Sequence, residues 1–163
     1  MIRQGHEWTA DGAERCDVVV IGSGCGGATL ALALAEQGRD VIVVERGGYY
    51  TKEDFDQREV NMLAKIDGGR GLDTSDDGAV ALTYGNNVGG ASVHYWADSY
   101  RTPPDRLALW EEGYGLQGHD SKTLTPYFER IERDLNVHPA PDHLVNRMNQ
   151  KFHDAAEALG WAV

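Results

Sequence analysis

Residues 18–45 read VVVIGSGCGGATLALALAEQGRDVIVVE, and this stretch decides the fold. An apolar run, Val18–Ile21, enters the turn Gly22-Ser23-Gly24-Cys25-Gly26-Gly27, an alanine- and leucine-rich helix follows, and a second apolar run ends on Glu45. Strand, glycine turn, helix, strand and acid in that order make a βαβ unit of the dinucleotide-binding type. Each part has a chemical reason. Gly22 permits the tight turn, Gly24 lets backbone approach a pyrophosphate, and Gly27 lets the helix pack closely on the strand. The N–H groups of the first helical turn and the helix dipole then face the phosphates. Glu45 stands where it can accept hydrogen bonds from an adenosine ribose, and its charge disfavours a 2′-phosphate and hence NADP. Arg46, next in the chain, faces the adenine or pyrophosphate on this reading, with a plain surface role as its alternative.

Working outward, the strands span about 17–22 and 40–45 and the helix about 26–38, with Gly38 as the left-handed residue that ends it. Residues 1–16 form a polar extension. A polar helical segment runs from Lys52 to about Ile66, and 67–78 reads as a loop. Val80–Tyr84 is a short strand candidate feeding a second glycine turn, Gly85-Asn-Asn-Val-Gly-Gly-Ala-Ser92, which is expected at a helix start and is followed by Tyr95 and Trp96. Pro103-Pro104 opens a short helix carrying Leu107 and Trp110. A helix from about Asp120, recapped at Thr125-Pro126, repeats Leu124, Tyr127, Phe128, Ile131 and Leu135 at three-and-four spacing. A last helix, about 142–159, aligns Leu144, Met148, Phe152, Ala155 and Leu159. Two strong strands are too few for a doubly wound sheet, and Gly160-Trp-Ala-Val163 resembles the start of a further strand. The expectation is a chain that forms the N-terminal part of something longer.

Composition narrows the function. The chain has 163 residues and a formal net charge of −11. That charge argues against nucleic acid and against electrostatic docking on an anionic membrane. No stretch reaches the roughly 20 apolar residues of a membrane span, and residues 1–16 lack the apolar core of a secretory signal. The two cysteines, Cys16 and Cys25, match no metal motif and suggest a reducing, cytoplasmic setting. Cys25 reads as a small residue tolerated in the turn. His6, His119, His138, His143 and His153 share no ligand spacing, so no metal is expected. The acid pairs Glu111-Glu112 and Asp76-Asp77 read as solvated surface, and Trp110, Tyr127 and Phe128 as packing residues. Two phosphate-grade glycine turns in one chain point to a large dinucleotide lying extended between them, which suits FAD better than NAD.

Asp17-Val-Val-Val-Ile-Gly-Ser-Gly, Asn87-Val-Gly-Gly-Ala-Ser92 and Tyr127-Phe-x-x-Ile-Glu132 together resemble the glucose–methanol–choline oxidoreductase family. The resemblance implies an α/β, Rossmann-like FAD-binding domain over residues 17–163, with a substrate domain absent. It implies that Gly22, Ser23, Gly24 and Gly27 bind the pyrophosphate, that Glu45 binds the ribose, and that Gly89, Gly90 and Ser92 lie against the flavin side. Where many members carry Asn, this chain has Tyr95. Gly-Gly-Ala-Ser-Val-His-Tyr-Trp is more similar to the sugar-oxidising branch of pyranose oxidase and bacterial sugar dehydrogenases. A His at this place there can carry covalent flavin, which makes His94 a candidate attachment site as well as a contact.

The family's reaction is hydride transfer from an alcohol or sugar CH–OH group to flavin N5, with a late His as base, paired with Asn or His. The resemblance places that pair beyond residue 163, so no catalytic residue is expected here, and a missing C-terminal domain or partner chain is implied. Two other readings are an NAD-dependent dehydrogenase, which needs nicotinamide-site strands after strand four or five, and a non-catalytic nucleotide-binding module.

Overall fold

A computed structural model describes residues 1–95 and 97–161; Trp96 and the final pair 162–163 lie outside the described residues, and with them part of the strand expected after Gly160. The chain divides into two compact units, Met1–Ala97 and Asp98–Val163.

The first unit is built on the βαβ element. Strand β1 (Val18–Ile21) and strand β2 (Val41–Val44) pair in parallel, with Val18 opposite Val41 and Ile21 opposite Val44. Helix α1 (Cys25–Glu36) connects them. Continuous β-branched runs suit strands meant to be covered on both faces. In these 163 residues Ile21 and Val44 nevertheless remain exposed, because a sheet of two four-residue strands has too little width to bury both faces. At the end of α1, Gly38 takes φ +78°. Its N–H and that of Arg39 turn back to Ala35 and Leu34, the ending that the sequence predicts there.

The segment 52–66 splits. A short 3-10 turn at Lys52–Asp54 precedes helix α2 (Glu59–Ile66), whose Met62 and Ile66 are buried with Val20. The expected loop 67–78 contains a strand, β3 (Asp73–Thr74), paired antiparallel with β4 (Ala81–Leu82). β4 is thus shorter than the expected 80–84 strand. The hairpin turn between them is held by Ser75 and Asp77 side chains and by Gly78 at φ +70°.

The second unit is helical. Helix α3 (Pro104–Tyr114) buries Leu107 and ends at Gly115, φ +70°. Helix α4 (Ser121–Asp134) is capped by Asp120, which accepts from the Lys122 and Thr123 N–H groups at 2.8 and 3.1 Å. It runs unbroken through Pro126, with no recapping at Thr125. Arg101 makes a two-pronged ion pair with Glu132 at 2.6 Å and lies over the Phe128 ring. The last helix is also shorter than expected. A 3-10 turn at Asp142–Leu144 is followed by helix α5 (Arg147–Ala158), started by Asn146, whose side chain accepts from Asn149 N–H at 2.9 Å. The apolar stripes of these helices are not core in this chain: Tyr127 is 65% exposed and Phe152 69%. No helix among the described residues is long and apolar enough to cross a membrane.

Candidate functional site

The site is assembled where β1 ends, α1 begins and β2 ends. Gly22 leaves β1 with φ +90°, a backbone shape that L side chains rarely adopt, and its N–H is held by Val44 O at 2.8 Å. Gly24 then caps α1 without any side-chain hydrogen bond, and the first helical turn carries no acid. The positive end of the helix therefore keeps its capacity for an anionic ligand. Three of the four glycines of this turn differ sharply in their surroundings. A Cβ on Gly24 meets nothing within 4 Å, nor does one on Gly26, whereas a Cβ on Gly27 overlaps Gly22 O and crowds Gly22 C at 3.1 Å and Val20 Cγ1 at 3.3 Å. Gly27 is the packing glycine, and Gly24 and Gly26 have clear space before them.

Glu45 reaches back from the tip of β2 to this turn. Its Oε2 accepts from Ser23 N–H and from Ser23 Oγ–H, both at 2.8 Å, and its Oε1 accepts from Gly47 N–H at 2.8 Å. Partial burial pushes its carboxyl up, but the hydrogen bonds from Ser23 and Gly47 outweigh this and hold it below the ordinary Glu range. The carboxylate is thus ionised and oriented at neutral pH. Arg46 is exposed.

The second glycine turn is packed onto the first. Gly48 and Asn87 form a parallel bridge, with Val88 N–H donating to Gly48 O at 2.9 Å. Gly89 has φ +93°, and its N–H donates to Ser23 Oγ at 3.0 Å across 66 residues of sequence. Gly90 abuts Gly24: a Cβ on Gly90 would lie 2.9 Å from Gly24 Cα. Gly90–Val93 is a 3-10 turn, in place of the longer helix start that the sequence suggests, and Ser92 Oγ–H donates to Gly89 O. His94 follows, half-buried, with Nε2 buried and without a hydrogen-bond partner among the described residues. Asp67 lies within its electrostatic reach. Burial pushes the Asp67 carboxyl up; N–H bonds from Gly71 at 2.6 Å and Tyr84 at 2.9 Å, with the His94 charge, prevail and hold it low.

The structure therefore gathers Gly22, Ser23, Gly24, Gly27, Glu45, Gly89 and Gly90 into one place, with Ser92 and His94 at the edge of the second turn. Sequence reasoning passed over three contributors. Asn87 is 2% exposed, donates through Nδ2 to Val88 O and Gly90 O, and keeps Oδ1 buried without a partner among the described residues. Gly47 is indispensable to the packing, since a Cβ there overlaps the Asn86 and Asn87 backbone; the Gly47-Gly48 pair directly after Arg46 is the signal that could have found it. Asp67 holds the chain just ahead of the turn by accepting from Tyr84 N–H at 2.9 Å. Among the described residues, no group of His, Cys, Asp and Glu is placed to hold a metal ion.

A family model described as GMC oxidoreductase matches residues 16–163. Long-chain-alcohol oxidase FAO4B of Arabidopsis thaliana is 42% identical over 91% of this chain and 20% of its own length. Paromamine 6′-oxidase of Streptomyces fradiae is 31% identical over 94% of this chain and 30% of its own length. The crystal structure of pyridoxine 4-oxidase from Mesorbium loti superimposes with a TM-score of 0.52 at 23% identity, covering 69% of this chain and 24% of that one, a likeness of fold. The chain spans about a fifth to a quarter of the length of three of the curated relatives that it matches. With the βαβ unit, the second glycine turn and a match over residues 16–163 in agreement, the chain belongs to the GMC oxidoreductase family, whose N-terminal domain binds FAD.

Proposed function

We propose that this chain is the FAD-holding part of a flavin-dependent oxidoreductase that oxidises an alcohol or sugar CH–OH group. One observation carries the reading. Two glycine turns distant in sequence are locked together, with open space before Gly24 and an uncapped helix start beside it. FAD fits these residues: a diphosphate suits clear backbone at a helix N-terminus, and two buried atoms without a partner among the described residues, Asn87 Oδ1 and His94 Nε2, lie at the second turn. Gly22, Gly24 and Gly27 would hold the pyrophosphate, with Ser23 between them. Glu45 would accept from the adenosine ribose, and its charge would repel a 2′-phosphate. Arg46 stands next to the adenosine side. Gly89, Gly90 and Ser92 would let backbone lie close to the flavin half, and His94 would contact it. When bound, the flavin supplies the hydride acceptor.

The substrate class follows the names of the relatives, oxidases of long-chain alcohols and of paromamine. No residue of this chain is assigned the task of taking the hydroxyl proton, so residues outside 1–163 would complete the chemistry. The domain organisation that follows is a polar extension over 1–16 and cofactor-binding sequence over 17–163.

The test is a spectrum of the purified chain with added FAD after removal of the excess, repeated on the acid-precipitated pellet and the supernatant. Oxidised-flavin bands in the protein support the reading. Colour retained in the pellet makes His94 a covalent anchor, and colour in the supernatant makes it a contact. A folded protein that takes up NADH and no flavin would overturn the assignment in favour of a nicotinamide-dependent dehydrogenase.

A further inference from the structure

We infer that Ser23 is a positioning residue, a clasp whose hydroxyl joins the Glu45 carboxylate to the second glycine turn, and not a ligand of the cofactor's phosphates. The inference rests on the flavin reading for its consequence in binding, while the clasp itself stands on geometry. A serine hydroxyl has one hydrogen to donate and two lone pairs to accept with. The hydrogen goes to Glu45 Oε2 at 2.8 Å, and one lone pair takes Gly89 N–H at 3.0 Å. The Ser23 backbone N–H is also committed to Glu45 Oε2 at 2.8 Å. Nothing on Ser23 is left to donate to a phosphate oxygen, and the remaining lone pair repels one. The side chain is also closed off, at 9% exposure.

What the hydroxyl does is mechanical. It connects the end of β1 to the tip of β2 and, 66 residues on, to Gly89. Gly90 lies against Gly24 beside it, so the two turns are set at contact distance next to the clasp. Without the hydroxyl, Glu45 keeps only backbone donors, and Gly89 N–H loses its acceptor at a half-buried position. Both halves of an extended dinucleotide would then meet a looser cradle. Ser23 thus serves the ribose end and the flavin end at once.

The test uses the full 163-residue chain with Ser23→Ala, Glu45→Gln and the double variant, read by amide hydrogen exchange and by FAD titration. In Ser23→Ala the Gly89 amide is expected to exchange at least about tenfold faster, with the β-ladder amides of Val20 and Ile42 unchanged. FAD affinity should fall about five- to twentyfold in the wild-type background and less than about twofold in the Glu45→Gln background, the non-additivity of residues that act through each other. Equal factors in both backgrounds would make Ser23 a direct ligand and overturn the inference, as would unchanged exchange at Gly89. If wild type takes up no FAD, the flavin reading fails on its own, and the exchange at Gly89 still decides the clasp. Should Ser23→Ala unfold, Ser23→Cys keeps a side chain of similar size with a weak donor, and its Gly89 amide must still speed up.

Discussion

Alanine placed in turn at Gly24, Gly26 and Gly27 should give three different outcomes within four residues, and the differences follow from what each new Cβ meets. At Gly26 the space is open, so alanine brings only its helix preference, up to about 1 kcal/mol in favour of folding. At Gly27 the same preference operates, but the methyl overlaps Gly22 O and crowds Val20 Cγ1 at 3.3 Å. Both are parts of the β1 exit that the parallel pairing holds in place. Overpacking of this kind costs typically about 1–3 kcal/mol, and with backbone as the obstacle the upper end applies. The net is a loss of about 1–2 kcal/mol. For a unit about the size of residues 1–97, that lowers Tm by roughly 5–15 °C. Gly24 has extended backbone, φ −65° and ψ −177°, with open space around it. Alanine there should leave Tm within about 3 °C of wild type, since its unfolded-state gain of about 0.4–1 kcal/mol is offset by the poorer cap. FAD affinity should nevertheless fall at least about tenfold, because the methyl occupies the pyrophosphate's place. Circular-dichroism melting and flavin titration of the three variants decide the matter. A Gly27→Ala protein that melts at or above wild type would refute the close-packing argument, and undiminished FAD binding by Gly24→Ala would remove Gly24 from the cradle.

Glu45→Ala should weaken FAD by about 1.5–3 kcal/mol, the scale of a lost charged hydrogen bond, measured by the same titration. Because the Glu45 carboxyl is held below its ordinary value, its stabilising contribution is complete above the unfolded value of about 4.3 and is lost as pH falls through the lower folded value. Melting of wild type and Glu45→Gln should therefore converge in acid below about pH 4 and diverge above it, and parallel curves would show that the carboxylate's charge does not matter. Gly47→Ala should detach the second turn by overlapping Asn86 and Asn87, seen as faster amide exchange at Val88. Asn146→Ala removes the cap of α5 and should cost about 1 kcal/mol without touching FAD affinity.

The elements legible in the sequence are those whose cause is local. β1, α1 and β2 were readable because apolar runs, glycine spacing and a left-handed Gly38 each act within a few residues, and the structure places all three within a residue or two of expectation. β3 was not, since Asp73-Thr74 shows no alternation, and β4 is only the Ala81–Leu82 part of the expected Val80–Tyr84 strand; the hairpin is closed by the Ser75–Gly78 turn. The breaks ahead of α2 and α5 depend on Asp56 and Asn146 side chains that compete with helix for backbone N–H groups.

The stripes on α4 and α5 mark the limit of periodicity. Tyr127, Ile131, Met148 and Phe152 carry the spacing of core residues and stay exposed in this chain. Periodicity reports which face a helix is built to bury, and the partner surface has to come from elsewhere in space. The same logic separates the two kinds of site residue. A glycine required for close packing can be read from one position, as Gly27 was. Ser23 cannot, because its work is defined by partners 22 and 66 residues away, and an isolated serine in a glycine turn carries the same letters whether it binds a phosphate or clasps two turns together. A cofactor that spans two distant turns needs them held in register before it arrives, so the residues that decide its affinity include some that never touch it.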